Sequence, residues 1–150
     1  MSKITAAITA VGGYVPDYVL SNEILETMVD TNDEWITART GIKERRILKD
    51  KEKGTSFLAI QAAKNLLKKN NTDPNEIDMI VMATATPDMP VAVTGSYVAT
   101  QIGAENAFSY DLMAACSSFL FGMSVAAKYI ESGRYKKVLL IGADKMSSII

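Results

Sequence analysis

Residues 107–133 read AFSYDLMAACSSFLFGMSVAAKYIESG, and the reading of this stretch decides the fold. Ala107–Met113 is apolar and of the right length for a buried strand. Ala114 and Ala115 make a small-residue corner, Cys116 follows, and a helical segment then runs to Gly133. No charged residue occurs between Cys116 and Ala127, and Ser117, Ser118, Gly122 and Ser124 keep the segment slim. A helix that is apolar on every face belongs in the middle of a domain. The one cysteine of the chain would stand at its N-terminal end. Unpaired N–H groups and the positive end of the helix dipole gather there, and they favour thiolate over thiol. That is the layout of an activated nucleophile. The competing reading is structural, because free cysteine is among the most buried residue types and packs as a small hydrophobe.

Outward from this stretch, Ile77–Thr84 (IDMIVMAT) and Lys137–Gly142 (KVLLIG) are continuous apolar runs, as expected of strands covered on both faces. Ile4–Val11, ended by Gly12-Gly13, reads as a further buried strand. Helical patterns lie between them. Leu58, Ala59, Ala62, Ala63, Leu66 and Leu67 form one stripe of a helix running from Gly54 or Thr55 to about Lys69. Thr94 is placed to cap a helix through Ile102, stopped by Gly103. Ser21 or Asn22 can cap a short helix through Met28, and Asn32 a second over Asp33–Arg39 with Gly41 as its left-handed stop. Lys49–Lys53 and Ala85–Pro90 read as loops. Short apolar strands alternating with helices predict an α/β layered fold with a largely parallel sheet. Stopping just past a buried strand would leave a sheet edge and a face uncovered.

Composition narrows the class. With 150 residues, 48% of them hydrophobic, the chain can bury one core, so one domain or part of one is expected. The net charge is −1 and the charges are dispersed, which argues against a nucleic-acid surface. A single cysteine excludes an internal disulfide and suits a reducing cytosol. Nothing approaches eighteen uninterrupted apolar residues, so no membrane span is expected. The chain contains no histidine, and no metal-binding spacing is visible. A thiolate nucleophile needs a base or an orienting imidazole nearby. Cys116 is therefore structural, or its partners lie on sequence outside these residues.

Thr31–Arg46, TNDEWITARTGIKERR, holds the only tryptophan. Trp35 and Arg39 are one helical turn apart and project from the same face. The indole either plugs the surface or serves as a stacking platform for an aromatic ring, with Arg39 and nearby cations meeting phosphates.

Taken in order, TNDEWITARTGIKERR, VMATATPDMP, YDLMAACSSFLFGM and VLLIGAD closely resemble the N-terminal half of the 3-ketoacyl-(acyl-carrier-protein) synthase III family. These are initiating condensing enzymes of bacterial fatty-acid synthesis. The resemblance implies a thiolase-like fold, layered αβα with a mostly parallel mixed sheet. It implies that Cys116 accepts the acyl group from an acyl-coenzyme A primer, its backbone N–H serving as one oxyanion donor. Condensation with malonyl-acyl carrier protein would follow. It further implies that Trp35 stacks on the coenzyme A adenine with Thr31 and Arg39 beside it. Met89 would reach across a homodimer into the partner's acyl pocket. Coenzyme A enters as a substrate thioester, and no cofactor or metal is implied. The family's catalytic His and Asn belong to a second half of similar size, so residues 1–150 alone are expected to be inactive in condensation. Ser118 departs from the glycine found two residues after the cysteine in most relatives, which bears on packing around the nucleophile. Two alternatives remain: a related condensing enzyme of the hydroxymethylglutaryl-coenzyme A or quinolone type, and a non-catalytic half-domain for dimerisation or carrier-protein binding.

Overall fold

The computed structural model describes residues 4–149. Its centre is a sheet of three parallel strands, β3 (Met79–Ala83), β4 (Phe108–Leu112) and β5 (Val138–Gly142), in the order β4-β3-β5. Val81 of β3 stands opposite Tyr110 on one side and Leu140 on the other. All five residues of β3 are buried, which is why IDMIVMAT shows no polar alternation.

Helices cover both faces. α3 (Thr55–Lys69) and α4 (Thr94–Ile102) lie on one side. Ala59, Ala63 and Leu67 of α3 and Val98, Ala99 and Ile102 of α4 pack there against Ile80, Met82, Leu139 and Ile141. α5 (Ser118–Glu131) lies on the other side, where Gly122 backs directly onto Leu140. Strand alternation separates Leu140 from Leu139 and Ile141. A Cβ at position 122 would come within 2.5 Å of a Leu140 methyl, so any larger residue there would have to displace that side chain.

The first third of the chain forms a small cap. β1 (Val19–Ser21) pairs antiparallel with β2 (Glu44–Arg46), and α1 (Asn22–Glu26) and α2 (Asp33–Thr40) lie between them in sequence. Asn22, fully buried, fastens the cap. Its Nδ2 donates to Asp33 Oδ1 and to the Ile42 carbonyl, each at 2.7 Å, and its Oδ1 accepts from Arg45 Nη2 at 2.8 Å. Every polar atom of the amide is thus used, as burial demands.

Several expectations need correction. Ile4–Val11 is not a buried strand; it pairs with no other strand among the described residues, and Ile8 and Val11 are exposed. Instead Ile4 sits beside Gly133 at the end of α5, while Gly12 lies against Leu66 of α3 and Gly13 N–H donates to Asn65 Oδ1. The segment therefore passes from one helical layer to the other without a ladder, and β-propensity without a partner does not make a strand. The expected largely parallel sheet is present, while among the described residues antiparallel pairing occurs in the β1–β2 ribbon, which the periodicity did not reveal. The first short helix ends at Glu26 rather than Met28. Thr94 is the first residue of α4 and not its cap. Asp111 supplies the capping instead, its carboxylate accepting from Thr94 N–H at 2.7 Å and Gly95 N–H at 2.8 Å. Lastly, α5 is not covered on every face: Ser118 and Gly122 are buried, whereas Phe119, Leu120 and Phe121 are exposed.

Candidate active site

In parallel α/β sheets, ligands bind outside the carboxyl ends of the strands. Here β4 leads there to Cys116, β3 to the loop carrying Met89, and β5 to Asp144.

The corner after β4 is the most constrained piece. Ala114 is followed by Ala115 at φ 45°, a left-handed conformation that costs a residue with a Cβ and persists only where the surroundings enforce it. A 3₁₀ turn over Ala115–Ser117 carries Cys116, and α5 proper begins at Ser118. Both backbone polar groups of Ala114 are bonded across the cysteine: its carbonyl accepts from Ser117 N–H at 3.1 Å, and its N–H donates to Ser118 Oγ at 2.6 Å. Cys116 itself is exposed and unpaired with any other cysteine.

The neighbouring loops are held by carboxylates. Asp88 accepts Ser56 N–H at 3.1 and 3.2 Å at the start of α3 and so anchors the loop on which Met89 projects. Val91, two residues on, is 94% exposed against 60% for Met89, so the tip of this loop lies beyond Met89. Asp144 Oδ1 accepts from Thr84 Oγ1, Ala85 N–H and Thr86 N–H, tying the end of β5 to that of β3. Lys145 donates through Nζ to the carbonyls of Asp50 and Lys53, bringing the cap's trailing loop to the same edge.

On the cap, Asn32 Oδ1 accepts Trp35 N–H at 2.7 Å and starts α2 where the sequence placed it. Thr31 directly precedes this cap residue and is partly buried. Trp35 is half exposed, with the Arg39 guanidinium 4.3 Å from the centre of its ring. Trp35 and Arg39 are therefore one unit, whereas Cys116 and Met89 stand on separate elements at the sheet edge. Donors from Asn22, Lys43 and Thr37 hold the Asp33 carboxyl below its ordinary value. Among the described residues no group of three or more His, Cys, Asp or Glu could hold a metal ion, and no helix is long and apolar enough to cross a membrane.

Sequence reasoning missed Asp111, Asp144 and the Ser118 hydroxyl. A signal existed for the acids: each interrupts or ends an apolar strand run, and a charge there must have found partners.

A parallel sheet between helical layers, with an exposed thiol on the corner after its edge strand, fits the thiolase-like class of α/β folds. The family model of 3-oxoacyl-[acyl-carrier-protein (ACP)] synthase III matches residues 110–150. The whole chain is 53% identical to beta-ketoacyl-[acyl-carrier-protein] synthase III 2 of Bacteroides thetaiotaomicron and covers 45% of that protein. The corresponding synthase III of Chlorobium chlorochromatii is 54% identical over 97% of the chain and 44% of its own length. The crystal structure of 3-oxoacyl-[acyl-carrier-protein] synthase III from Aquifex aeolicus superposes with a TM-score of 0.88 at 46% identity, over 93% of this chain and 44% of that one. Xanthomonas campestris OleA, at 21% identity and a TM-score of 0.77 over 89% of this chain and 41% of its own, shares the fold. Over its whole length the chain is similar to 3-oxoacyl-[acyl-carrier-protein] synthase III enzymes, and it spans slightly less than half the length of the curated relatives it matches.

Proposed function

We propose that this chain is the N-terminal half of an initiating condensing enzyme of type II fatty-acid synthesis, working in the cytoplasm as a homodimer. The observation that carries the reading is the exposed Cys116 on its bonded corner at the carboxyl end of β4. The identity to synthase III enzymes across the whole chain supports it. In the first step the Cys116 sulfur attacks the thioester carbonyl carbon of an acyl-coenzyme A primer. The bond from that carbon to the coenzyme A sulfur breaks, coenzyme A leaves as a thiolate that takes up a proton, and the acyl group remains on Cys116. In the second step malonyl-acyl carrier protein loses carbon dioxide, its carbanion attacks the acyl carbonyl, and the Cys116 thiolate departs. The backbone N–H of Cys116 serves as an oxyanion donor. In the family that this chain resembles, a His and an Asn of the second half stabilise the malonyl-derived enolate; residues 1–150 contain no histidine.

Trp35 and Arg39, with Thr31 beside them, receive the coenzyme A nucleotide. Met89, on the loop anchored by Asp88, reaches toward the partner's acyl pocket. The test uses the complete enzyme with acetyl-coenzyme A and no malonyl donor. Intact mass is expected to rise by one acetyl group, and Cys116→Ala to abolish both this adduct and condensation. An adduct that persists in Cys116→Ala would overturn the assignment.

A further inference from the structure

We infer that Ser118 is a positioning residue for Cys116, acting through the hydrogen bond from Ala114 N–H to its hydroxyl. The inference rests on the reading of Cys116 as the acyl acceptor and adds a residue that sets how well the thiol is aimed. Three observations carry it. Ala115 holds a positive φ immediately before the cysteine, a conformation that a residue with a Cβ keeps only under restraint. The Ser117 N–H bond to the Ala114 carbonyl closes the turn on one side, and Ser118 Oγ closes it on the other at 2.6 Å. Ser118 is 2% exposed, so water does not compete for Oγ. The two bonds bracket Cys116, and the Ser118 bond connects the end of the β4 segment to the first turn of α5.

The substitutions separate positioning from packing. Serine to alanine removes one oxygen, leaves the Ala114 N–H without its acceptor, and opens a space too small for water. Serine to glycine removes CH₂OH, a group about the size of one water molecule, whose share of liquid volume is about 30 Å³. A water can then take the Oγ position and accept the same N–H. Glycine is also the worse helix former of the two. A purely structural serine therefore makes glycine the more damaging change, whereas a hydrogen-bonding role makes alanine more damaging to chemistry.

In the complete enzyme, single-turnover acetylation of Cys116 by acetyl-coenzyme A is measured by quenched intact mass for wild type, Ser118→Ala, Ser118→Gly and a control, Ser124→Ala. Thermal unfolding of each variant is recorded alongside. Ser118→Ala is expected to lower the maximal acetylation rate about tenfold, with half-saturation for acetyl-coenzyme A unchanged. Ser118→Gly is expected to lie nearer wild type in rate despite the lower melting temperature. Ser124, whose hydroxyl bonds only back to the Leu120 carbonyl on an exposed face, is expected to be neutral. Wild-type acetylation in Ser118→Ala, or rates that follow melting temperature with glycine worst, would overturn the positioning role while leaving Cys116 as acceptor. Absence of acetylation in the folded wild type would overturn the underlying reading and this inference with it.

Discussion

On the α3–α4 face of the sheet, Ile80, Met82 and Val98 are completely buried, whereas on the α5 face Leu120 and Phe121 keep more than half of their surface in water. α5 is richer in apolar residues than α3 or α4, so composition does not explain the difference. The covered face is filled by two helices that also pack on each other, with their N-termini met by Asp88 and Asp111. The other face carries one helix, in which Ser118 and Gly122 are buried while Phe119, laid against Gly142, stays partly open to water. One face is closed as a core; the other brings the cysteine corner to an apolar surface of the kind that marks an interaction site.

The largest effect that bears on this contrast is a cavity. Met82→Ala should lower unfolding free energy by about 2–5 kcal/mol, the range for truncating a buried side chain. Leu120→Ala should change it by less than about 0.5 kcal/mol in residues 1–150, and by a core-sized amount in the complete enzyme if a second half covers α5. Urea unfolding of both proteins measures this, and a core-sized loss for Leu120→Ala in the short chain would erase the contrast.

Next comes the carboxylate that closes the covered face. Asp111→Ala removes both acceptors from the start of α4 and should cost about 2 kcal/mol, the upper end for a lost helix cap. Asp111→Asn keeps one acceptor oxygen and should recover part of the loss. Equal melting temperatures for alanine and wild type would show that the α4 terminus needs no partner.

A smaller effect tests whether the open surface extends to the cap. Trp35→Ala and Arg39→Ala should each raise KM for acyl-coenzyme A roughly tenfold, the scale of losing one stacked base, with Arg39→Ala more salt-sensitive. An acyl donor lacking the adenosine part should be much less affected. Equal losses on both donors would make the pair structural.

The smallest concerns how the cap is fastened. The Asp33 carboxyl lies below its ordinary value because Asn22, Lys43 and Thr37 donate to its charged form. A depressed folded-state value means that the unfolded chain binds the proton first as pH falls. The contribution is therefore complete above the ordinary value of about 3.9 and is lost as pH drops through the folded one. Stability should decline below about pH 4, and Asp33→Asn should flatten that decline in acid titrations followed by circular dichroism. An unchanged slope would separate Asp33 from the cap's stability.

Local patterns told much of this in advance. The continuous apolar runs of β3 and β5, the stripe of α3, the Asn32 cap, the left-handed Gly41 and the helix stops at Gly103 and Gly133 were readable because each depends on a few adjacent residues. Cys116, Trp35 and Arg39 stood out for the same reason, being rare residue types in distinctive local settings.

What the sequence by itself determined is the alternation of strands and helices from α3 to β5 and the corner that presents Cys116. Tertiary structure alone decided the rest, because it depends on partners distant in the chain. Ile4–Val11 has strand propensity but finds no ladder, Thr94 yields its capping role to Asp111 seventeen residues away, and Asp144 reaches back sixty residues to Thr84. Whether an apolar face becomes core or surface, and whether a serine is merely slim or holds the peptide beside Cys116, is settled by which groups meet in space. Periodicity reports the faces of each element, while the meeting of faces is fixed only when burial and hydrogen bonding are satisfied together.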